Sequence, residues 1–369
     1  MRQPKHGGNL AWAAAVAGCP PDAILDFSAS INPLGPTDST LAAIMSELGN
    51  IKHYPDPNYG ELKQALARFH RLPSEWIMPG NGSAELLTWA GRELAQVAAT
   101  IIVTPTFGDY YRALGAFNAK VLEFPMSLIN SKINSIINSI NYDLSLIVDI
   151  DNKNTTKDKG LLLNNPHNPT GKLFTRDAIL PYLKEFTLVV VDEAFMDFLS
   201  PDKEQSLIDV VQEYPNLVIL RSLTKFYSVP GLRLGYAISN PERLRKWESW
   251  SDPWTVNSLA VAAAIAAVED KQFQQQTWEW LPKARKDLFA GLADIPGLQP
   301  LKGAANFLLV ESNHSTVDLQ HKLLQNHQIL IRDCLSFPEL GDSYFRVAVR
   351  LEEENQRLVE AVRELGVRS

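Results

Sequence analysis

Cysteine is nearly absent: Cys19 and Cys334 are the only two in 369 residues. Two cysteines make neither a disulfide framework nor a zinc site, and so low a count fits a reducing cytoplasm. Basic character is lacking as well. The net charge is −7 and no long basic run occurs, which gives no support to nucleic-acid binding. Long apolar runs are missing too, the longest, Leu259–Val268, being far too short to span a bilayer. The opening residues are basic and Ala-rich but broken by His6-Gly7-Gly8-Asn9, too weakly apolar for a signal peptide. No GxxxxGK occurs, which excludes the usual nucleoside-triphosphate loop. What remains, 45% hydrophobic and 21% charged, is long enough to bury a sizeable core. The expectation is a soluble cytoplasmic protein without membrane or nucleic-acid partners.

The most informative stretch is Asn216–Ala237, NLVILRSLTKFYSVPGLRLGYA. An apolar run, Leu217–Leu220, ends in Arg221-Ser222-Leu223-Thr224-Lys225. A turn at Pro230-Gly231, then Arg233, then a second run, Leu234–Ile238, follow. Short apolar runs between turn residues read as buried strands, so Lys225 stands at a strand end. An amine that attacks a carbonyl must be neutral part of the time, which takes a dry site or neighbouring positive charge. Hydroxyls and an arginine beside it suit a phosphate, and the combination points to a Schiff base with pyridoxal phosphate. Taken alone, SxTK also describes a solvated loop lysine.

Other strand ends carry polar clusters. An N-terminal stretch with a helix over 10–18 ends in the loop Ser28–Gly35; a helix over 37–49 leads to His53-Tyr54-Pro55-Asp56-Pro57. Gly80-Asn81-Gly82-Ser83-Ala84-Glu85 opens a helix over 86–95. Such a helix start presents N–H groups and a positive dipole end to an anion, although a capping box from Ser83 explains it equally. Strand 101–103 precedes Phe107, strand 161–163 precedes Asn164–Gly171, and strand 188–191 precedes Asp192-Glu193-Ala194-Phe195. Residues 127–160, rich in Asn, Ser and Ile, read as an expanded surface segment, helical in part over 144–150. Strands over 306–310, 329–332 and 344–349 belong to a smaller α/β unit. Ligands in open parallel α/β sheets bind off the carboxyl ends of strands, where one cofactor could gather these clusters. The fold class is α/β, with a mostly parallel central sheet flanked by helices. The organisation expected is an arm (1–35), a large cofactor domain (36–250), and an interdomain helix with a small C-terminal domain (251–369).

The motifs GNGSAE, NNPHNPTG, DEAF and SLTKFYSVPGLRLGY occur in an order and spacing that resemble the aspartate-aminotransferase superfamily of pyridoxal-phosphate enzymes, fold type I. Within it the chain is similar to the histidinol-phosphate aminotransferase branch and, more narrowly, to the threonine-phosphate decarboxylases of cobalamin synthesis. The narrower likeness rests on HGGN, LDFSASINPLGP, HYPDPNYGELKQALA, PWTVNSLA, ILIRDC and YFRVAVR. The resemblance implies that Lys225 forms the Schiff base and later moves protons, and that Asp192 pairs with the ring nitrogen. It implies that Asn168, beside a cis Asn168–Pro169 bond, meets the phenolic oxygen, and that Phe107 stacks on the ring. The cofactor phosphate falls to the N–H groups of Ser83 and Ala84, the hydroxyls of Ser222 and Thr224, and Arg233. Tyr54 reaches that phosphate from a partner subunit, which makes a homodimer the expected unit. Arg332 and Arg346 become anion clamps for a small phosphorylated amino acid, with His6, Gly7, Asn32 and Asn168 on the substrate side. Phe195 stands where many aminotransferases of the branch carry tyrosine, which fits the decarboxylases.

Two reactions stay open at this level. A substrate carboxylate held in the ring plane leaves Cα–H perpendicular, and transamination follows, as with histidinol phosphate and 2-oxoglutarate. A bound substrate phosphate that turns the carboxylate out of plane releases CO2, yielding an aminopropanol phosphate.

Overall fold

The computed structural model describes residues 6–126 and 158–366. Its thirteen described strands are β1 (Leu25–Asp26), β2 (Ile77–Asn81), β3 (Ala99–Thr104), β4 (Val121–Pro125), β5 (Lys159–Asn164), β6 (Leu188–Asp192), β7 (Leu217–Ser222), β8 (Leu234–Ser239), β9 (Leu298–Pro300), β10 (Phe307–Ser312), β11 (Ile329–Leu330), β12 (Arg332–Asp333) and β13 (Tyr344–Ala348). Seven form the central sheet in the order β2-β8-β7-β6-β5-β3-β4. β4, β3, β5, β6 and β7 are mutually parallel, whereas β8 runs antiparallel to both β7 and β2. The runs Leu188–Val191 and Leu217–Leu220 are buried throughout, as strands covered by helices on both faces must be. The mostly parallel expectation holds, with β8 as the exception.

Most of the expanded segment, including the helix expected over 144–150, lies outside the described residues. Its expected end at 160 is corrected: Lys159 and Gly160 belong to β5 and pair with Ala99 and Thr100. Gly160 belongs to the core by necessity, because a Cβ there would stand 2.4 Å from Leu94 Cδ2. The strand expected over 329–332 is likewise corrected. β11 pairs with β1, and β12 joins a second sheet of order β12-β13-β10-β9, so the chain changes sheets at Ile331.

Capping sets the helix bounds. Asn257 accepts the Ala260 N–H (2.8 Å) at the start of helix Ser258–Glu269, and Asp270 accepts that of Phe273 (3.0 Å) at the start of Lys271–Ala293. The early helix is Leu10–Ala17, capped by the Asn9 side chain and stopped by Gly18 in the left-handed region (φ 70°). The N-terminal stretch is tied to the C-terminal part by the β1–β11 pair and by Ala348 N–H donating to Phe27 O (2.8 Å). No described helix is long and apolar enough to cross a membrane.

Candidate active site

A cavity of about 970 Å³ opens where β5, β6 and β7 end. It is lined by Lys225, Asp192, Asn168, Phe107, Ser83, Ala84, Ser222, Thr224, Arg233, Arg332, Arg346, His6 and Gly7. Two expected residues, Asn32 and Tyr54, do not line it.

Lys225 sits on the short helix Leu223–Phe226 directly after β7. Its Nζ is 3.4 Å from Thr224 Oγ1 and 5.6 Å from the centre of the Phe195 ring. Burial lowers its pKa to about 8; Arg233 and Arg346 act in the same direction, and Asp192 opposes them. The amine is therefore a usable nucleophile near neutral pH. Asp192, the last residue of β6, is 7% exposed. Its Oδ2 accepts the hydroxyl of Tyr110 (2.9 Å) and its Oδ1 the N–H of Ala194 (3.1 Å). Burial raises its pKa above the ordinary value, and those two donors, then Lys225, pull it back. A cation placed against this carboxylate would be strongly favoured.

The next residue faces the other way. Glu193 is fully buried and accepts Arg221 Nε (3.0 Å) and the Ser206 hydroxyl (2.7 Å), and Asp197 also receives Arg221. Successive strand residues point to opposite sides, so one carboxylate serves the cavity and its neighbour anchors the ends of β6 and β7.

The anion-binding end is built from backbone as well as side chains. Helix Ser83–Leu94 is not capped by Ser83: its N-cap is Gly82 at φ 74°, without a side-chain cap, and Ser83 is the first helical residue. The capping-box explanation therefore fails. Gly82 has no room for a side chain, since a Cβ would lie 2.6 Å from Arg233 Nη2. Gly235 has none either, because its Cβ would lie 2.5 Å from the Ser83 nitrogen. Ser222 Oγ and Thr224 Oγ1 are 2.8 Å apart beside this corner. Helix-start N–H groups, two hydroxyls and a guanidinium pressed against glycines match a phosphate in donor chemistry.

The opposite side carries the second set of charges. Arg332 on β12 is the register partner of Arg346 on β13. Arg346 Nη1 donates to Asn168 Oδ1 (2.5 Å), its guanidinium lies 4.7 Å over the Phe307 ring, and burial with Arg332 nearby lowers its pKa to about 10. Arg332 contacts Asp333 Oδ2 (3.2 Å) and Ser336 Oγ (2.6 Å). The Asn168–Pro169 bond is cis, and the Asn168 N–H donates to Asn164 Oδ1 (2.6 Å). Gly7 packs so closely on Ser28 O that a Cβ would sit 2.2 Å away, and Gly8 N–H donates to Ser28 Oγ (2.7 Å). The His6 ring stands edge-on to Phe107 at 6.4 Å.

Asn32 is a correction. It is 1% exposed, and its amide donates to Phe226 O and Thr277 Oγ1 (2.9 Å each) and accepts the Leu34 N–H (3.1 Å). Its backbone N–H also donates to Lys225 O (3.0 Å), so it supports the lysine segment from behind. Tyr54 is 78% exposed and stacked on Trp254 at 4.4 Å, outside this chain's cavity. Tyr110, absent from the expected set, lies in the short helix Asp109–Gly115, whose mixed sequence DYYRALG does not mark it as a site residue. Its spacing of three from Phe107 was the available signal, since the two rings meet edge to face at 5.9 Å.

Comparison with known proteins narrows the family. The chain is 38% identical over 368 residues to threonine-phosphate decarboxylase of Salmonella typhimurium, covering 97% of this chain and 95% of that one. It is 29% identical over 365 residues to the adenosylcobalamin biosynthesis bifunctional protein CobDQ of Leptospira interrogans, covering 98% of this chain and 41% of that protein. The fold matches histidinol-phosphate aminotransferase from Sinorhizobium meliloti, solved in complex with pyridoxal-5'-phosphate, with a TM-score of 0.82 at 23% identity over 97% of this chain and 95% of that one. Residues 22–362 match aminotransferase class I and II, and the chain belongs to that family.

Proposed function

We propose that the chain is a pyridoxal-phosphate-dependent decarboxylase converting L-threonine O-3-phosphate to (R)-1-amino-2-propanol O-2-phosphate and CO2, in cobalamin biosynthesis. One observation carries the reading: a single cavity holds both the Lys225–Asp192 pair and the facing arginines Arg332 and Arg346. The first pair suits the cofactor, and the second suits a substrate with two anionic groups. The likeness to the Salmonella decarboxylase supports the substrate, and that to the bifunctional cobalamin protein supports the pathway.

Bound pyridoxal phosphate supplies an electron sink conjugated to the substrate's Cα. Lys225 would hold its aldehyde through Nζ. Asp192 would pair with the ring nitrogen and keep it protonated, Phe107 would stack on the ring, and the Asn168 amide would donate to the phenolic oxygen. Ser83 and Ala84 N–H groups, the Ser222 and Thr224 hydroxyls and Arg233 hold the cofactor phosphate. Arg332, with His6 and Gly7 from the arm, holds the substrate phosphate, and Arg346 takes the carboxylate. Held at both anionic ends by Arg332 and Arg346, the substrate would present its carboxylate, not its Cα hydrogen, as the group that leaves. Lys225, its Nζ released when the substrate's amine takes its place on the aldehyde, would then deliver a proton to Cα as CO2 departs. Phe195, fully apolar, adds no hydroxyl beside the phenolic oxygen. In this reading the arm (1–35) contributes His6 and Gly7 to the site, 36–250 carry the cofactor and 251–369 carry the substrate arginines.

Tyr54 completes the phosphate site of a second copy, so the working unit is a homodimer. The exposed Leu41, Met45, Leu48, Ile51, Tyr54 and Trp254 support a partner over this region. The deciding assay gives purified protein phosphothreonine, with separate detection of CO2 and of an oxo acid. Release of CO2 with aminopropanol phosphate is expected. If no CO2 appears and histidinol phosphate is transaminated with 2-oxoglutarate, the reading is replaced by an aminotransferase.

A further inference from the structure

Ser336, beside Arg332 on the substrate side, has hydrogen-bonding capacity for which the structure gives no protein partner among the described residues. Ser336 lines the cavity, half-buried, and its Oγ accepts Arg332 Nη2 at 2.6 Å. A hydroxyl has one proton to give and two lone pairs to receive with. Arginine can only donate, so the Ser336 proton is turned away from it, and no protein acceptor takes that proton among the described residues.

The surrounding turn is held by hydrogen bonds and apolar packing. Asp333 Oδ1 accepts the Leu335 N–H (3.1 Å), Cys334 O accepts the Phe337 N–H (2.9 Å), and Phe337 is buried against Leu309, Cys334 and Leu340. Asp333 Oδ2 meets Arg332 Nη1 at 3.2 Å and Gln320 Nε2 at 3.4 Å. Arg332 is thus gripped on one side by a carboxylate and on the other by the hydroxyl. Its proximity also makes the hydroxyl a better donor, because a guanidinium on the oxygen polarises the O–H bond.

We propose that Ser336 is a binding residue that donates its hydroxyl proton to the substrate's phosphate, making with Arg332 a two-pronged anion site fixed in advance by Asp333. This rests on the functional reading above. It adds a direct contact by a residue outside the arginine pair, and it makes Ser336 a determinant of preference for phosphorylated over unphosphorylated amines.

The test uses the holoenzyme and O-phosphoethanolamine, which carries amine and phosphate but no carboxylate. Its binding is followed by the visible spectrum, alongside steady-state kinetics with phosphothreonine. Ser336→Ala is expected to weaken phosphoethanolamine binding about ten-fold or more, the effect of one bond to a charged group. It should raise KM for phosphothreonine more than it lowers kcat, and leave the spectral response to ethanolamine at its wild-type concentration. Ser336→Thr, which keeps the hydroxyl, should restore phosphoethanolamine binding. A purely supporting role is separated by the Arg332→Ala background, where Ser336→Ala must still weaken phosphoethanolamine binding. If it has no effect there, or if the single variant binds phosphoethanolamine as the wild type does, the proposal is overturned. Failure of wild-type holoenzyme to respond to either phosphorylated amine would instead remove the functional reading beneath it.

Discussion

Replacing Tyr110 by phenylalanine removes one oxygen atom and leaves the buried ring where it is. The hydroxyl donates to Asp192 Oδ2 at 2.9 Å inside a protein interior, and Tyr110 itself is 0% exposed. A hydrogen bond to a charged group contributes about 1.5–3 kcal/mol. The hydroxyl is the foremost influence that lowers the Asp192 pKa against burial, so its loss lets that pKa rise. A carboxylate protonated for more of the time holds the ring nitrogen's proton less well. Affinity of the apo-protein for pyridoxal phosphate should therefore fall by roughly ten- to hundred-fold, the equilibrium equivalent of that energy. Fluorescence titration with the cofactor measures it, and the variant's thermal melt checks that the fold is intact. The same substitution made in an Asp192→Asn background should cost little more, because the charge it supports is gone. Equal cofactor affinity in wild type and Tyr110→Phe would refute the reasoning, as would an undiminished penalty in the Asn background.

Apo-protein should capture pyridoxal phosphate with a rate that climbs as pH rises through about 8, where Lys225 loses its proton, and levels off above it; stopped-flow absorbance that finds the midpoint near 10 would contradict the lowered pKa. Asn32→Ala should lower the melting temperature by an amount equivalent to about 2–4 kcal/mol, since two buried hydrogen-bonding partners and one half-buried one are left unmet; a large rise in KM with an unchanged melt would return Asn32 to the substrate side. Tyr54→Phe and Lys225→Ala chains, each feeble alone, should recover activity when mixed and allowed to exchange subunits, and a monomer at micromolar concentration by light scattering would rule this out. Deleting residues 1–8 should spare cofactor binding while kcat/KM for phosphothreonine falls by about 2–4 kcal/mol, the worth of one or two charge-assisted bonds; an unaltered kcat/KM would detach the arm from the substrate.

The parallel strands were legible because their apolar runs are buried on both faces and end abruptly in polar residues. Asp192 could be located for the same reason, as the first polar residue after its run, and Lys225 as the basic residue of the polar cluster that follows β7. β2 was not legible, because Ile77–Asn81 contains proline and glycine and reads as a turn, although its Gly80 is pressed against Leu86. Asn32 misled because a polar residue in a turn-rich loop looks available for a ligand, whereas its partners lie 194 and 245 residues away. Tyr110 carries no local signal of its partnership with Asp192, which is 82 residues distant. The break at Ile331 could not be read because ILIRD is one continuous pattern; only the positions of β1 and β13 divide it.

The reversed direction of β8 shapes how far this chain can vary. A strand parallel to its neighbours brings its last residues to the ligand edge, but β8 brings its first, so Arg233 arrives there immediately before the strand begins. The path from Lys225 to Arg233 consequently never crosses the sheet: it is a connection of seven intervening residues whose two ends line one cavity. A residue added or removed between 226 and 232 would displace Lys225 relative to Arg233, the two ends of the proposed cofactor site. Insertions in this stretch should therefore be lethal to cofactor retention even when the protein folds, which makes its length, more than its composition, the constrained quantity.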